Sequence, residues 1–494
     1  MSDGRPRLVV TLPGRSLAAV ARQAQLAQEG GADAAELRAD RLETDDLPRV
    51  GRLFPAPLPL VGTYRSRAEG GEGSDDPAVR RTVLLGLAEL PFRWIDVELV
   101  RDLGTLPLLP PADRLGRIIS CHLAEEGRRS WRERLGELEG VDGVGKLVVH
   151  ASVGELLGDI VPQAARVGST TVVHTTGPSG PLLRAWARRF GFPFVYAALP
   201  AAGRAPPVEP SQLEVDRLRP FLDAPEAPPL FAVCGRPIGH SRSPEIHADW
   251  MQKQGRTGLY LALEFADGPE FVDALGPLAE GGFRGLNVTH PFKEVAREAA
   301  TDARAGAVAC GAANCLTLAD GGIVAENTDL LAILRRLEEL RAEGRWDGRS
   351  LTVVGAGGAA KATLAAAREL GAEATVYARR PEAARTVAER FGATAGVAVE
   401  AGPSALIVHA TTVGREPRAT LDLPISRLLR SGSHLLDWVY APASPVVAEA
   451  AARASATYED GWRLLVYQAA ASYETWWGEP PNEASVAEAI LEGP

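Results

Sequence analysis

With 494 residues the chain is too long for one hydrophobic core, so two or three domains are expected. Hydrophobic residues make up 46% and charged residues 23%, the balance of an ordinary globular protein, and the net charge of −10 comes without any Lys/Arg block. That excludes a basic nucleic-acid or acidic-membrane face, and no apolar run approaches the roughly 18 residues of a membrane-spanning helix.

The opening, MSDGRPRLVVTLPG, runs almost directly into an apolar strand, so no signal or transit peptide is expected. Apolar β-rich runs then recur with helix-like stretches between them: LVVTLP, AAELRAD, LPLVGTYR, WIDVELV, RIISCH, KLVVHA, TTVVHTT and PFVYAAL. Eight such units within residues 7–220, with no glycine fingerprint, predict a parallel (β/α)8 TIM barrel, with a doubly wound open sheet as the alternative. One stretch in this half, GVDGVGKLVVHAS (140–152), imitates a phosphate-binding loop. Leu147 stands where Ser or Thr should hold magnesium, and Lys146 opens a strand instead of a helix, so the likeness fails.

A parallel barrel carries its chemistry at the carboxyl ends of its strands. Those ends hold Glu36 and Arg38, Arg65 and Glu69, and His122, with Lys146 on the next strand. A lysine desolvated beside other cations loses pKa and becomes an imine-forming nucleophile, and a neighbouring histidine can move protons near neutral pH. The arginines would hold a carboxylate or a hydroxyl-rich substrate.

LDAPEAPPLFAV (222–233), with its prolines and acids, reads as a linker. We expect domains at 1–222 and 230–494, joined by residues 223–229. Beyond the linker come four segments that each pair a strand with a polar tip: GRPIGHSRSPEIH, GLNVTHPFKEVA, GAANCLTL and AENTDL. LTVVGAGGAAKATLAAARELGAEATVYARRPEAA (351–384) is a strand, a G-x-G-x-x-A turn, a helix and a second strand, the context that makes a glycine pattern a dinucleotide site. The pyrophosphate would sit at the helix start, over Gly355, Ala356, Gly357, Gly358 and Ala359. The second strand ends in Ala378-Arg379-Arg380 where NAD enzymes carry an acid, so NADP(H) is the expected cofactor. The four cysteines (121, 234, 310 and 315) lack metal-site spacing and no histidines form a ligand pair, so reduced thiols in a cytoplasm and no metal are expected.

Residues 7–220 resemble type I 3-dehydroquinate dehydratase. The likeness rests on Glu36-x-Arg38, on Arg65-x-x-x-Glu69-Gly-Gly, on His122 after IIS, on Lys146, and on Arg184 in TGPSGPLLR. It implies a Schiff base at Lys146, proton transfer by His122 oriented by Glu69, and substrate held by Glu36, Arg38, Arg65, Arg184 and Gln212. The family usually has serine where this chain has Val208, and a polar pair where it has Leu123-Ala124. From about residue 230 to the carboxyl terminus the chain resembles shikimate dehydrogenase, with five motifs in the family's order. That resemblance implies a substrate lobe (230–335 with the C-terminal helices) and a Rossmann lobe (346–457). It places substrate on Ser241, Ser243, Asn287, Thr289, Asn314, Tyr440 and Gln468, catalysis on Lys293 and Asp329, and cofactor on the glycine turn, the two arginines and Thr411. Departures include Arg236, Cys315, Leu330 and His409, the last where asparagine is usual.

Together the two resemblances imply consecutive steps: dehydration of 3-dehydroquinate to 3-dehydroshikimate, then reduction to shikimate. The partners would be these small molecules, with no nucleic acid and no membrane. Two alternatives are a catabolic quinate/shikimate dehydrogenase and a quinate-responsive regulator that kept the folds. The retained lysines, Ser243 and the arginine pair argue against both.

Overall fold

The computed structural model describes residues 5–123, 130–200, 212–319, 321–397, 401–411, 425–440 and 445–485. Val208 and Ala124 lie outside them. The chain forms two compact units, residues 1–228 with 263–277, and residues 229–262 with 278–494.

In the first unit the described residues carry eight parallel strands: β1 (Arg7–Leu12), β2 (Ala34–Arg38), β3 (Leu60–Thr63), β4 (Trp94–Glu98), β5 (Gly116–Leu123), β6 (Val144–His150), β7 (Thr171–Thr176) and β8 (Phe194–Ala197). Most strand residues are buried, which is why the runs read as predominantly apolar. Each strand from β1 to β6 pairs with the next in sequence, and β8 pairs back onto β1 (Val9 opposite Tyr196), giving the expected barrel, nearly closed, with no ladder between β7 and β8 among the described residues. Side chains span the β7–β8 seam. His174 Nε2 accepts the Tyr196 N–H at 3.3 Å. Arg184, on the short helix Gly180–Ala185, donates to Tyr196 O (3.2 Å) and Thr175 O (3.0 Å). Backbone groups that a ladder would satisfy are thereby paired.

The second unit holds two sheets. In the first, β9 (Leu230–Gly235), β10 (Leu259–Glu264), β11 (Phe283–Val288), β12 (Asp302–Ala303), β13 (Cys315–Ala319) and β14 (Gly322–Glu326) lie in the order 10-9-11-13-14-12. The helix Trp462–Trp477 returns from the carboxyl end to share one apolar cluster with Phe231, Trp250 and Tyr260. The second sheet is wholly parallel: β15 (Ser350–Val354), β16 (Glu373–Tyr377), β17 (Thr394–Ala395), β18 (Leu406–His409), β19 (His434–Asp437) and β20 (Thr457–Glu459), ordered 17-16-15-18-19-20. This is the doubly wound order, whose reversal between β15 and β18 leaves a crevice at the strands' carboxyl ends.

Candidate active sites

Strand alternation turns Glu36, Asp96 and Lys146 into the barrel, so residues distant in sequence meet in one layer. Glu36 and Lys146 border a cavity of about 240 Å³ that is also lined by Arg38, Arg65, Glu69, His122, His174, Arg184, Tyr196 and Gln212. Every residue that the sequence proposed for this half is therefore at one site. Lys146, 4% exposed, has Glu36 and Asp96 each 3.6 Å from Nζ and the Tyr196 ring centre 3.9 Å away. Its nearest charges are anions and an aromatic face, which corrects the expectation of a lysine beside cations. The cause is register: β2 and β4 present carboxylates to the centre, and the arginines are themselves paired with acids, Arg65 sharing Asp96 with Lys146. Arg38 pairs bidentately with Asp40 (2.9 and 2.7 Å). Arg65 donates to Asp96 (2.9 Å), Ser120 (2.8 Å), Glu69 (3.3 Å) and Glu98 (3.4 Å).

Glu69 is as enclosed as Lys146, and His122 is half-buried. Glu69 Oε2 accepts the backbone N–H of His122 at 2.9 Å and faces its Nδ1 at 3.3 Å. Burial raises the Glu69 carboxyl to about 7, against the pull of Arg65 and with the help of Glu98. Burial, then the charges of Arg65, Lys146 and Arg38, hold the His122 pKa well below its ordinary 6.5. A neutral imidazole beside a carboxyl poised near neutrality can take and return a proton. Glu36 is likewise penalised by burial, but Lys146, Arg38 and Arg65 outweigh that and lower its pKa. Gln212 borders the cavity with its Oε1 buried and without a hydrogen-bond partner. Asp96, His174 and Tyr196 were missed from sequence. Only strand parity could have flagged Asp96, two residues after Trp94 in a buried run.

In the second unit a cleft of about 710 Å³ gathers Ser241, Ser243, Asn287, Thr289, Lys293, Asn314, Asp329, Tyr440 and Gln468 from the first sheet's side. From the Rossmann side come Gly355, Ala356, Gly357, Gly358, Ala359, Arg379, Arg380 and Thr411. The Asn327 side chain caps the helix Thr328–Ala342, accepting the Leu330 N–H at 3.0 Å, and so sets Asp329 in its first turn. Asp329 Oδ2 accepts from Lys293 Nζ, and Oδ1 accepts from Asn314 Nδ2 at 2.9 Å. Asn287 donates to Asn314 O (3.1 Å) and Ser472 Oγ (2.8 Å) and accepts from Tyr260 (2.7 Å), so the protein itself occupies most of its amide. Tyr260, Thr328 and Ser472 were not foreseen as members of the site.

The Rossmann edge fits a dinucleotide. Gly355 has φ +134°, and a Cβ there would lie 2.4 Å from Ala410 O; Gly357 has open space in front of it. A Cβ on Gly358 would meet Lys293 at 2.9 Å, so that glycine admits the Lys293 stem. Arg379 and Arg380 stand just beyond β16, both exposed. Among the described residues no helix is long and apolar enough to cross a membrane, and no group of three His, Cys, Asp or Glu could hold a metal ion.

Residues 8–227 match the family model of type I 3-dehydroquinase, and residues 233–316 match that of the shikimate dehydrogenase substrate-binding domain. A shikimate dehydrogenase (NADP(+)) of Ruegeria sp. (strain TM1040) is 37% identical over 275 residues, which span 53% of this chain and 98% of that protein. The chain belongs to the shikimate dehydrogenase family, with a type I 3-dehydroquinase domain ahead of that part. Among solved structures, shikimate 5-dehydrogenase from Thermus thermophilus in complex with NADP(H) and shikimate is 32% identical, with a TM-score of 0.48, covering 53% of this chain and 99% of that one. Dehydroquinate dehydratase and shikimate dehydrogenase from S. pombe is 21% identical, with a TM-score of 0.44 and 99% coverage of both chains.

Proposed function

We propose that the chain catalyses two consecutive steps of the shikimate pathway, Schiff-base dehydration of 3-dehydroquinate and NADPH-dependent reduction of the resulting 3-dehydroshikimate to shikimate. The observation that carries this reading is that each half's motif residues converge on one enclosed site, a lysine beside a neutral histidine in the barrel and a Lys–Asp pair facing a dinucleotide turn in the cleft.

In the barrel, Lys146 attacks the ring ketone after giving up a proton. Asp96 is placed to receive it, since its Oδ2 has no hydrogen-bond partner and lies 3.6 Å from Nζ. Loss of water from the addition product gives an imine, which draws electrons from the adjacent carbon as His122 removes its proton. His122, oriented by Glu69, then returns a proton to the departing hydroxyl, and hydrolysis frees Lys146. Gln212, Arg38 and Arg184 are the substrate contacts we assign at the rim.

In the cleft, NADP(H) supplies hydride when bound. Lys293 delivers the proton to the ketone oxygen, and Asp329, which accepts from its Nζ, keeps it aimed. Ser241, Ser243, Asn314 and Gln468 hold the substrate, while Gly355–Ala359 and Thr411 receive the dinucleotide. Arg379 and Arg380 take its 2′-phosphate. We assign the dehydratase to residues 1–222, the linker to 223–229 and the dehydrogenase to 230–494, and place the enzyme in the cytoplasm, where its four buried free thiols stay reduced. The test is a coupled assay on the intact chain: 3-dehydroquinate plus NADPH should yield shikimate, with 3-dehydroshikimate accumulating when NADPH is withheld. Formation of quinate instead, or no turnover by either half, would overturn the reading.

A further inference from the structure

His409, fully buried at the end of β18, stands directly opposite Asp437 on β19. Asp437 Oδ1 takes the His409 Nδ1 hydrogen at 2.8 Å and the Val439 N–H at 2.9 Å, and its Oδ2 takes the Tyr458 hydroxyl at 3.1 Å. A carboxylate with three donors has nothing to give back, so in a neutral ring the hydrogen is on Nδ1 and Nε2 is the acceptor. Nε2 lies 2.6 Å from the Thr411 hydroxyl. Thr411 in turn packs on the glycine turn, where a Cβ on Gly355 would come within 3.2 Å of its Cγ2, and borders the cleft.

We propose that His409 and Asp437 are positioning residues that turn the Thr411 proton away from the cleft, so that its oxygen meets the cofactor as an acceptor only. The inference rests on the reading that this unit binds NADP(H). Its content is which half of the dinucleotide Thr411 serves. Arg379 and Arg380 follow β16, on one side of β15, whereas Thr411 follows β18, on the other. A dinucleotide bound across that edge with its 2′-phosphate at the arginines would turn its nicotinamide riboside toward the side of Thr411. The riboside offers O–H and N–H donors, which an acceptor-only threonine satisfies. The pyrophosphate offers only acceptors and gains nothing from it.

The experiment titrates the intact chain with NADP+ and with adenosine 2′,5′-bisphosphate, which lacks the riboside, by calorimetry. The chains compared are wild type, Thr411→Val, His409→Asn and the double variant. Asparagine keeps an amide nitrogen at the δ position for Asp437 but is too short to reach Thr411. Each single variant should weaken NADP+ about 3- to 10-fold, the worth of one neutral hydrogen bond, and leave the bisphosphate unchanged. The double variant should be no weaker than Thr411→Val alone, because His409 acts through Thr411. The KM for NADPH should rise by the same factor at constant kcat. Unchanged NADP+ affinity in His409→Asn, additive losses, or equal weakening of the bisphosphate would overturn the proposal. Failure of the wild type to bind either ligand would instead remove the cofactor reading beneath it.

Discussion

Asp329→Asn is the sharpest single test of the cleft, because the replacement has the same shape and fails for a reason of valence. Asp329 stands between two donors, Lys293 Nζ on Oδ2 and Asn314 Nδ2 on Oδ1. An amide has one acceptor and one donor end, so one neighbour must be met donor to donor. Asn314 cannot rotate to relieve this, because its Oδ1 already accepts the Thr328 N–H at 2.6 Å. The side chains of Lys293 and Asp329 are 17% and 5% exposed, so solvent screens the loss little. A hydrogen bond to a charged group is worth about 1.5–3 kcal/mol, which predicts a fall of roughly 10- to 150-fold in kcat/KM for 3-dehydroshikimate. The measurement is NADPH absorbance, run beside the enone absorbance of the dehydratase reaction on the same variant. Dehydratase activity should stay at the wild-type level. A fall of less than about threefold in a folded protein would refute the argument, since the worth of even a weak charged hydrogen bond exceeds it. Loss of both activities would show that the two sites are coupled.

Borohydride with 3-dehydroquinate should attach covalently to Lys146, read by mass spectrometry; an adduct on another lysine sinks the Schiff-base assignment. Lys146→Met should abolish the dehydratase and leave reduction of added 3-dehydroshikimate intact. Because burial and the neighbouring cations lower the His122 pKa, the base stays neutral as pH falls through 6.5 and is lost only below it. Glu69, raised to about 7, should set the acid limb of dehydratase kcat/KM near that value, and in Glu69→Gln the remaining limb should fall below 6.5; a limb that stays near 7 in that variant contradicts the site geometry. Replacing Arg379 and Arg380 together by alanine should cut the preference for NADP+ over NAD+ by about tenfold or more; an unchanged ratio makes the pair ordinary surface charge.

Much of this protein was legible in its sequence because its chemistry sits at the ends of short, strongly patterned elements. Buried parallel strands are predominantly apolar, so the eight runs of the barrel declared themselves. The glycines of the dinucleotide turn are fixed by local backbone needs, as the φ of Gly355 shows. The motif residues, from Glu36 to Gln468, were named through resemblance to two families, whose motifs lie beside such elements. What the sequence could not supply was the company each residue keeps. The surroundings of Lys146 come from β2, β4 and β8, brought together by strand parity and barrel closure, and they reversed the expected sign of its neighbours. Arg65 looks like a substrate ligand in its motif, yet the fold surrounds it with Asp96, Glu69 and Glu98. His409 and Asp437 are far apart in sequence and face each other only because β18 and β19 pair in one register. Propensity and patterning act over a few residues, so they fix which elements form and what those elements carry. The charges and hydrogen bonds that set each group's reactivity act through space, and only the tertiary structure decides which groups share it.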